Sequence, residues 1–278
     1  MGKQLETKRH TLGLALSGGG VRGFAHLGAF KAMEEFGLLP DIISGTSAGA
    51  LAGLFYADGY SPEEILSLFA GRELKKFIEL HIPRSGIFST IGLRNFLKKH
   101  IRAKCFEDLN IPLQVVATDL DNGVSVIFDK GEIIDAVIAS CSIPIIFDPV
   151  IINGINYVDG GLFKNFPVSN IRAQCNKIIG INVSPLLQKK YNKSIIHIAE
   201  RSYHYMFRAN TLLDRKLCDI LVETKEVGSF KTYELHNATE LFQIGYQITQ
   251  EAILEGAEKK VFDVLCSTEN GEKKILLP

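Results

Sequence analysis

The sequence predicts an α/β protein: three layers, α/β/α, around a mostly parallel central sheet. Three observations carry this. Short apolar runs of strand length alternate along the whole chain with longer segments whose apolar residues recur at helical spacing. That order belongs to a parallel sheet covered by helices on both faces. Two strand-to-helix turns, "SGGGVRG" and "SGTSAG", are built from glycine and other small residues. No Pro/Ser-rich linker, repeat or low-complexity tract interrupts the 278 residues, so one domain is expected over 1–278.

The elements follow in order. "TLGLALS" (11–17) is a buried strand ended by three glycines. In "VRGFAHLGAFKAMEEFG" the positions Phe24, Leu27, Phe30, Met33 and Phe36 mark a helix that Gly37 can end. "PDIIS" is a strand and "SAGALAGLFYADG" a helix of small residues. "SPEEILSLFAGRELKKF" opens with Ser, Pro and two Glu, a helix start. "GLRNFLKKHI" is a further helix. "PLQVVATDLD" and "VSVIFD" pair around Asn122-Gly123. "GEIIDAVIASC" is helical, "VIING" and "INYVDG" form a hairpin, and "NKIIGINV" is a buried strand. Then come a helix over 194–216, the strand "CDILVE", a loop over 224–237 and a long helix over 238–262.

Composition bounds the function. Hydrophobic residues make up 46%, enough for a large core. The formal net charge is zero, so no basic field is available to hold nucleic acid. The five cysteines lie far apart without a CxxC pair, which predicts reduced thiols, no metal site and a cytoplasmic setting. "MGKQLETKRH" has no apolar core of a secretory signal, and Glu6 stands where a myristoylation signal needs Ser or Thr. No run approaches the ~18 apolar residues of a membrane span. "SIPIIFDPVII" is the most apolar stretch, and Pro144, Asp148 and Pro149 break it. Residues 143–152 read first as core, with an acyl-pocket border or transient contact with a membrane surface as alternatives. No oligomeric state is specified.

The first glycine run matches G-x-G-x-x-G over Gly18–Gly23. A dinucleotide site on residues 12–60 also needs an acid at the end of the second strand. That strand begins with Asp41 and ends in "SGTSAG". The same geometry serves an oxyanion: the amides of Gly18, Gly19 and Gly20 converge at a helix N-terminus, where Arg22 could add charge and Gly23 allows close packing.

Ser47 lies in G-x-S-x-G between a strand and a helix, the context of a nucleophile elbow. Gly45 and Gly49 clear the turn, and the amide of Ala48 can join the oxyanion site. The base is the open question. His10 and His26 precede the serine. His81 and His100 lie in or beside a polar helical region, and His197 and His204 share a helix face. His236 is the best histidine for a triad. "YVDGG" offers a carboxylate instead: Asp159 closes an apolar strand just before Gly160 and Gly161. Kept from water and close to the serine, it could take the proton.

With "SGGGVRG", "GTSAG" and "DGG" in order, and "VVATDLDNGVSVIF" and "ASCSIPIIFDPV" between the last two, the chain resembles the patatin-like phospholipase family. The resemblance runs from about residue 12 to about residue 183 and is strongest to short bacterial members. It implies a patatin-like fold and hydrolysis of lipid acyl esters by a Ser–Asp dyad without histidine, metal or cofactor. Ser47 matches the nucleophile. Asp159 matches the base that activates the serine and then the deacylating water. Gly18, Gly19 and Gly20 match the oxyanion loop. Residues 184–278 carry no recognised motif and are expected to extend the same domain. Two other functions fit parts of the chain: a dinucleotide-binding protein, and a catalytically silent lipid-binding protein.

Overall fold

The computed structural model describes residues 9–70, 90–185, 195–230, 235–259, 261, 267–269 and 272–274. Five strands form the parallel centre of one sheet: β1 (His10–Leu16), β2 (Ile42–Thr46), β3 (Leu113–Asp119), β7 (Cys175–Ile181) and β8 (Ile220–Val222). Three antiparallel strands extend it: β4 (Val124–Phe128), β5 (Val150–Ile152) and β6 (Ile155–Asp159). The predicted α/β class holds, with a mixed rather than purely parallel sheet.

Helices cover both faces, and strand alternation decides which side chain meets which layer. Leu12, Leu14 and Leu16 of β1 enter the larger apolar cluster. There they meet α1 (Phe24–Glu35), α2 (Ala48–Ala57) and α10 (Ala238–Glu258). Ala15 faces the other way, into a smaller cluster with α7 (Val168–Arg172). Each fully buried leucine contributes about 2 kcal/mol of transfer free energy.

α3 (Pro62–Ala70) opens with a capping box. The Ser61 amide donates to Glu64 Oε2 at 2.8 Å and the Glu64 amide donates to Ser61 Oγ at 3.2 Å. The remainder of that predicted helix lies outside the described residues. α4 (Ile91–His100) and α5 (Ile133–Cys141) follow, then α6 (Gly161–Lys164), α8 (Ile195–Arg215) and α9 (Lys225–Ser229). Residues 267–269 and 272–274 form a separate short hairpin.

Two expectations need correction. The 224–237 loop contains α9 and a 3-10 turn at Leu235–Asn237. Thr224 Oγ1 caps α9 by accepting the Glu226 amide at 3.3 Å. Residues 143–152 are core only in part: Val150 is buried and Ile152 packs against the core, but Ile145 and Ile151 are each 67% exposed. Ile145 also adopts φ 75°, a strained conformation for a β-branched residue.

Candidate active site

Ser47 occupies the turn between β2 and α2 with φ 52° and ψ −118°. A residue with a Cβ is strained there. The neighbouring glycines explain why the turn is so sharp. A methyl on Gly45 would lie 2.6 Å from the Gly49 carbonyl oxygen, and one on Gly49 would run into the Leu16 carbonyl. Strand and helix pass too closely for side chains at either position. The Ser47 amide donates to Ser140 Oγ at 2.8 Å, and that hydroxyl donates to the Val116 carbonyl at 2.6 Å. This buried relay ties the strained residue to the last turn of α5 and to β3.

β3 aligns the acid with the serine. Thr46 stands opposite Val116, and Asp159 stands opposite the next residue, Ala117. β2 and β6 therefore meet end to end along one side of β3, while β4 pairs with its other side. β2 delivers Ser47 to the junction, and β6, running the opposite way, delivers Asp159. Asp159 is fully buried. Its amide donates to the Ser142 carbonyl at 2.8 Å, and its Oδ1 accepts the Gly161 amide at 2.7 Å. Gly160 packs against the Val116 carbonyl and Gly161 against the Phe207 ring.

Cys141 lies between Ser140 and Ser142. Its thiol lies near Ser47 and feels the charge of Asp159. Burial, then that charge, push the thiol well above its ordinary range, so it stays protonated. The end of α5 is thus a wall common to Ser47 and Asp159. In the sequence this wall is the stretch "ASCS", residues 139–142. Small polar residues ending an apolar helix are the signal that was there.

The glycine loop runs into a 3-10 turn, Gly20–Gly23, and then α1. A methyl at Gly18 would meet Asn165 Oδ1 and lie 3.2 Å from Ser47 Cβ, so the loop passes against Ser47. Gly23 approaches Ala48 in the same way, at 2.9 Å. The Gly18 amide, expected in the oxyanion site, instead donates to the Asn165 carbonyl at 3.0 Å, which anchors the loop. The amides of Gly19, Gly20 and Ala48 donate no hydrogen bond among the described residues.

Arg22 does something other than expected. Its guanidinium donates to the Phe230 carbonyl at 2.7 and 3.0 Å and to the Gly228 carbonyl at 3.2 Å. It joins the C-terminal end of α9 to the glycine loop, rather than offering charge to an anion. α8 buttresses the acid loop. Asn210 Nδ2 donates to the Gly161 carbonyl at 2.9 Å, and Asp214 accepts from the Ser169 amide and Lys164 Nζ. Residues beyond 183 therefore hold the site's supports.

Among the described residues, no hydrogen bond joins Ser47 to a histidine. His81 lies outside them. His236 is exposed in the turn before α10. His26 is fully buried and hydrogen-bonds the Ser17 carbonyl at 2.9 Å through Nε2. Burial lowers its pKa to about 4, with the Ser17 bond opposing, so the ring is neutral and Nε2–H is the donor. The unfolded chain takes up this proton below about pH 6.5, whereas the folded protein refuses it until about pH 4. Stability from this group is therefore lost as pH falls through that window. At about 1.4 kcal/mol per pKa unit, the loss at pH 5 is about 2 kcal/mol. Urea unfolding of wild type and His26→Gln should show their stability difference shrinking by that amount between pH 7.5 and 5. A pH-independent difference would contradict this assignment.

The geometry can be set beside known proteins. A model of the family described as Patatin-like phospholipase matches residues 14–171. The uncharacterized protein YqhO of Bacillus subtilis is 30% identical over 213 residues, covering 64% of this chain and 73% of that one. Lysophospholipase NTE1 of Kluyveromyces lactis is 33% identical over 174 residues, 60% of this chain but 12% of the yeast protein. In structure, VipD from Legionella pneumophila aligns with a TM-score of 0.55 at 15% identity, over 89% of this chain and 67% of that one. That likeness concerns the fold. Among the described residues, no helix is long and apolar enough to cross a membrane. With its motifs in order, its fold matched and the family model spanning more than half of its length, the chain belongs to the patatin-like phospholipase family.

Proposed function

We propose that this chain is a lipid acyl-ester hydrolase that works through a Ser47–Asp159 dyad. The observation that carries the reading is the junction on β3, where β2 and β6 present the strained serine and the buried carboxylate side by side. Ser47 Oγ attacks the ester carbonyl carbon while its proton passes to Asp159. The amides of Gly19, Gly20 and Ala48 receive the oxyanion, at the start of two helices. Gly18 anchors their loop. Collapse of the tetrahedral intermediate expels the alcohol, which takes the proton from Asp159 and leaves acyl-Ser47. Water then attacks the acyl carbon, gives a proton to Asp159, and the fatty acid leaves as Ser47 recovers that proton.

Family membership and the lysophospholipase named among the relatives support a lysophospholipid as the first substrate to examine. The dinucleotide reading has less support. Asp41 accepts the Thr11 and Leu12 amides at 2.8 and 2.9 Å, and is thus committed to the start of β1. Purified protein is expected to release fatty acid from lysophosphatidylcholine and nitrophenol from p-nitrophenyl butyrate. No turnover of either ester would favour the catalytically silent lipid binder.

A further inference from the structure

Asn165 follows the acid loop, and its side chain is fully buried. Its backbone is committed. The amide donates to Asn210 Oδ1 at 3.0 Å, and the carbonyl accepts from Gly18. Its carboxamide is not: neither Nδ2 nor Oδ1 has a hydrogen-bond partner among the described residues. Native proteins rarely leave a buried amide group empty on both sides, because its lost hydration is not replaced.

The place of this carboxamide gives it meaning. Asn165 Oδ1 lies against the point where a Gly18 side chain would start, and that same point is 3.2 Å from Ser47 Cβ. It also lies 2.9 Å from where a Gly161 side chain would start, and the Gly161 amide is the group that holds Asp159 Oδ1. One buried donor and one buried acceptor are therefore lodged between the nucleophile's loop and the carboxylate's loop.

A partner must satisfy both atoms. An ester carbonyl or an oxyanion only accepts, so it would leave Oδ1 empty. Water both donates and accepts, and buried water typically fills such polar gaps. We propose that Asn165 is a further catalytic residue, whose carboxamide holds the water that hydrolyses acyl-Ser47. This inference rests on the acyl-serine reading given above. In the step, the water oxygen bonds to the acyl carbon and one water proton passes to Asp159. The C–Oγ bond to Ser47 then breaks, Ser47 takes that proton, and the carboxylic acid departs. Asn165 Oδ1 accepts from the water's other hydrogen and Nδ2 donates to its oxygen, which aims a lone pair at the acyl carbon.

The test separates acylation from deacylation. Rapid-mixing assays with p-nitrophenyl butyrate read acylation as a nitrophenol burst and deacylation as the steady state. Asn165→Leu keeps the side chain's size and removes both hydrogen-bonding atoms. It should acylate within about threefold of wild type and deacylate about 100-fold more slowly, with butyryl-Ser47 accumulating by mass spectrometry. Equal loss in both phases, or no loss, overturns the proposal. If wild type forms no acyl adduct on Ser47, the reading beneath it fails as well. A second measurement does not depend on the variant folding. A crystal structure of wild type should show an ordered water within hydrogen-bonding distance of both carboxamide atoms. A carboxamide bonded only to protein groups would overturn the proposal.

Discussion

Ser47→Ala is expected to lower ester hydrolysis by about 10⁴-fold or more while leaving the fold intact. The reason is local. The substitution removes the oxygen proposed to form the acyl intermediate. It keeps the backbone of the turn and the Ser47 amide's bond to Ser140. Asp159→Asn should lower activity by about 10³-fold, because the amide keeps the size and can still accept from Gly161 but cannot take a proton. His26→Gln and His236→Ala should retain most activity at pH 7.5. His26 is neutral beneath the loop, and His236 is exposed before α10. Initial rates on p-nitrophenyl butyrate, with circular dichroism as the check of folding, decide the matter. Substantial activity in Ser47→Ala would overturn the mechanism. A large loss in His236→Ala alone would restore a Ser–His triad.

The second large effect concerns the fold. Gly28→Ala and Gly245→Ala are each expected to destabilise the protein by about 3 kcal/mol or more. α1 and α10 cross backbone to backbone at these two residues. A methyl on Gly28 would occupy the space of the Phe242 carbonyl, and one on Gly245 that of the Ala25 carbonyl. Neither obstacle is a side chain that can rotate away, so the helices must separate and lose packing along their length. Gly123→Ala is the contrast. No atom lies within 4 Å of its methyl, but φ is 68°, so the cost is backbone strain of about 1–2 kcal/mol. Urea midpoints would rank the three. Equal small losses at all of them would mean that the helix crossing is looser than described.

The parts of the site differ in how well the sequence announced them. The turn at Ser47 was legible because its glycines are local: Gly45 and Gly49 flank the residue they serve. The β6 end was legible for the same reason, through Asp159-Gly160-Gly161. The partners that complete the site were not. Ser140 reaches Ser47 from 93 positions away, and Arg22 finds its carbonyls more than 200 positions downstream. Pairings of that kind are set by how strands register on β3 and how α8 and α9 dock, and no short window encodes them. Arg22 beside three glycines read as an anion contact because nothing nearby revealed its real acceptors.

Periodicity had its own limits. It located the strands and longer helices, because each contributes several buried side chains at a fixed spacing. α9 spans five residues, too few for a helical period to show, so 224–237 read as loop. Segment 143–152 misled in the opposite direction. Its apolar composition suggested core, yet Ile145 in the turn and Ile151 on β5 lie in solvent. Composition records what a side chain would prefer, and the chain's path past Pro144 and Pro149 decides what it meets.

The most direct measurement of the central claim is labelling with a fluorophosphonate probe, followed by peptide mass spectrometry and labelling rates. One adduct is predicted, on Ser47. It should be absent in Ser47→Ala and form about 100-fold or more slowly in Asp159→Asn, because the carboxylate activates the attacking oxygen. An adduct on another residue, or an Asp159→Asn variant labelled at the wild-type rate, would contradict the Ser47–Asp159 mechanism.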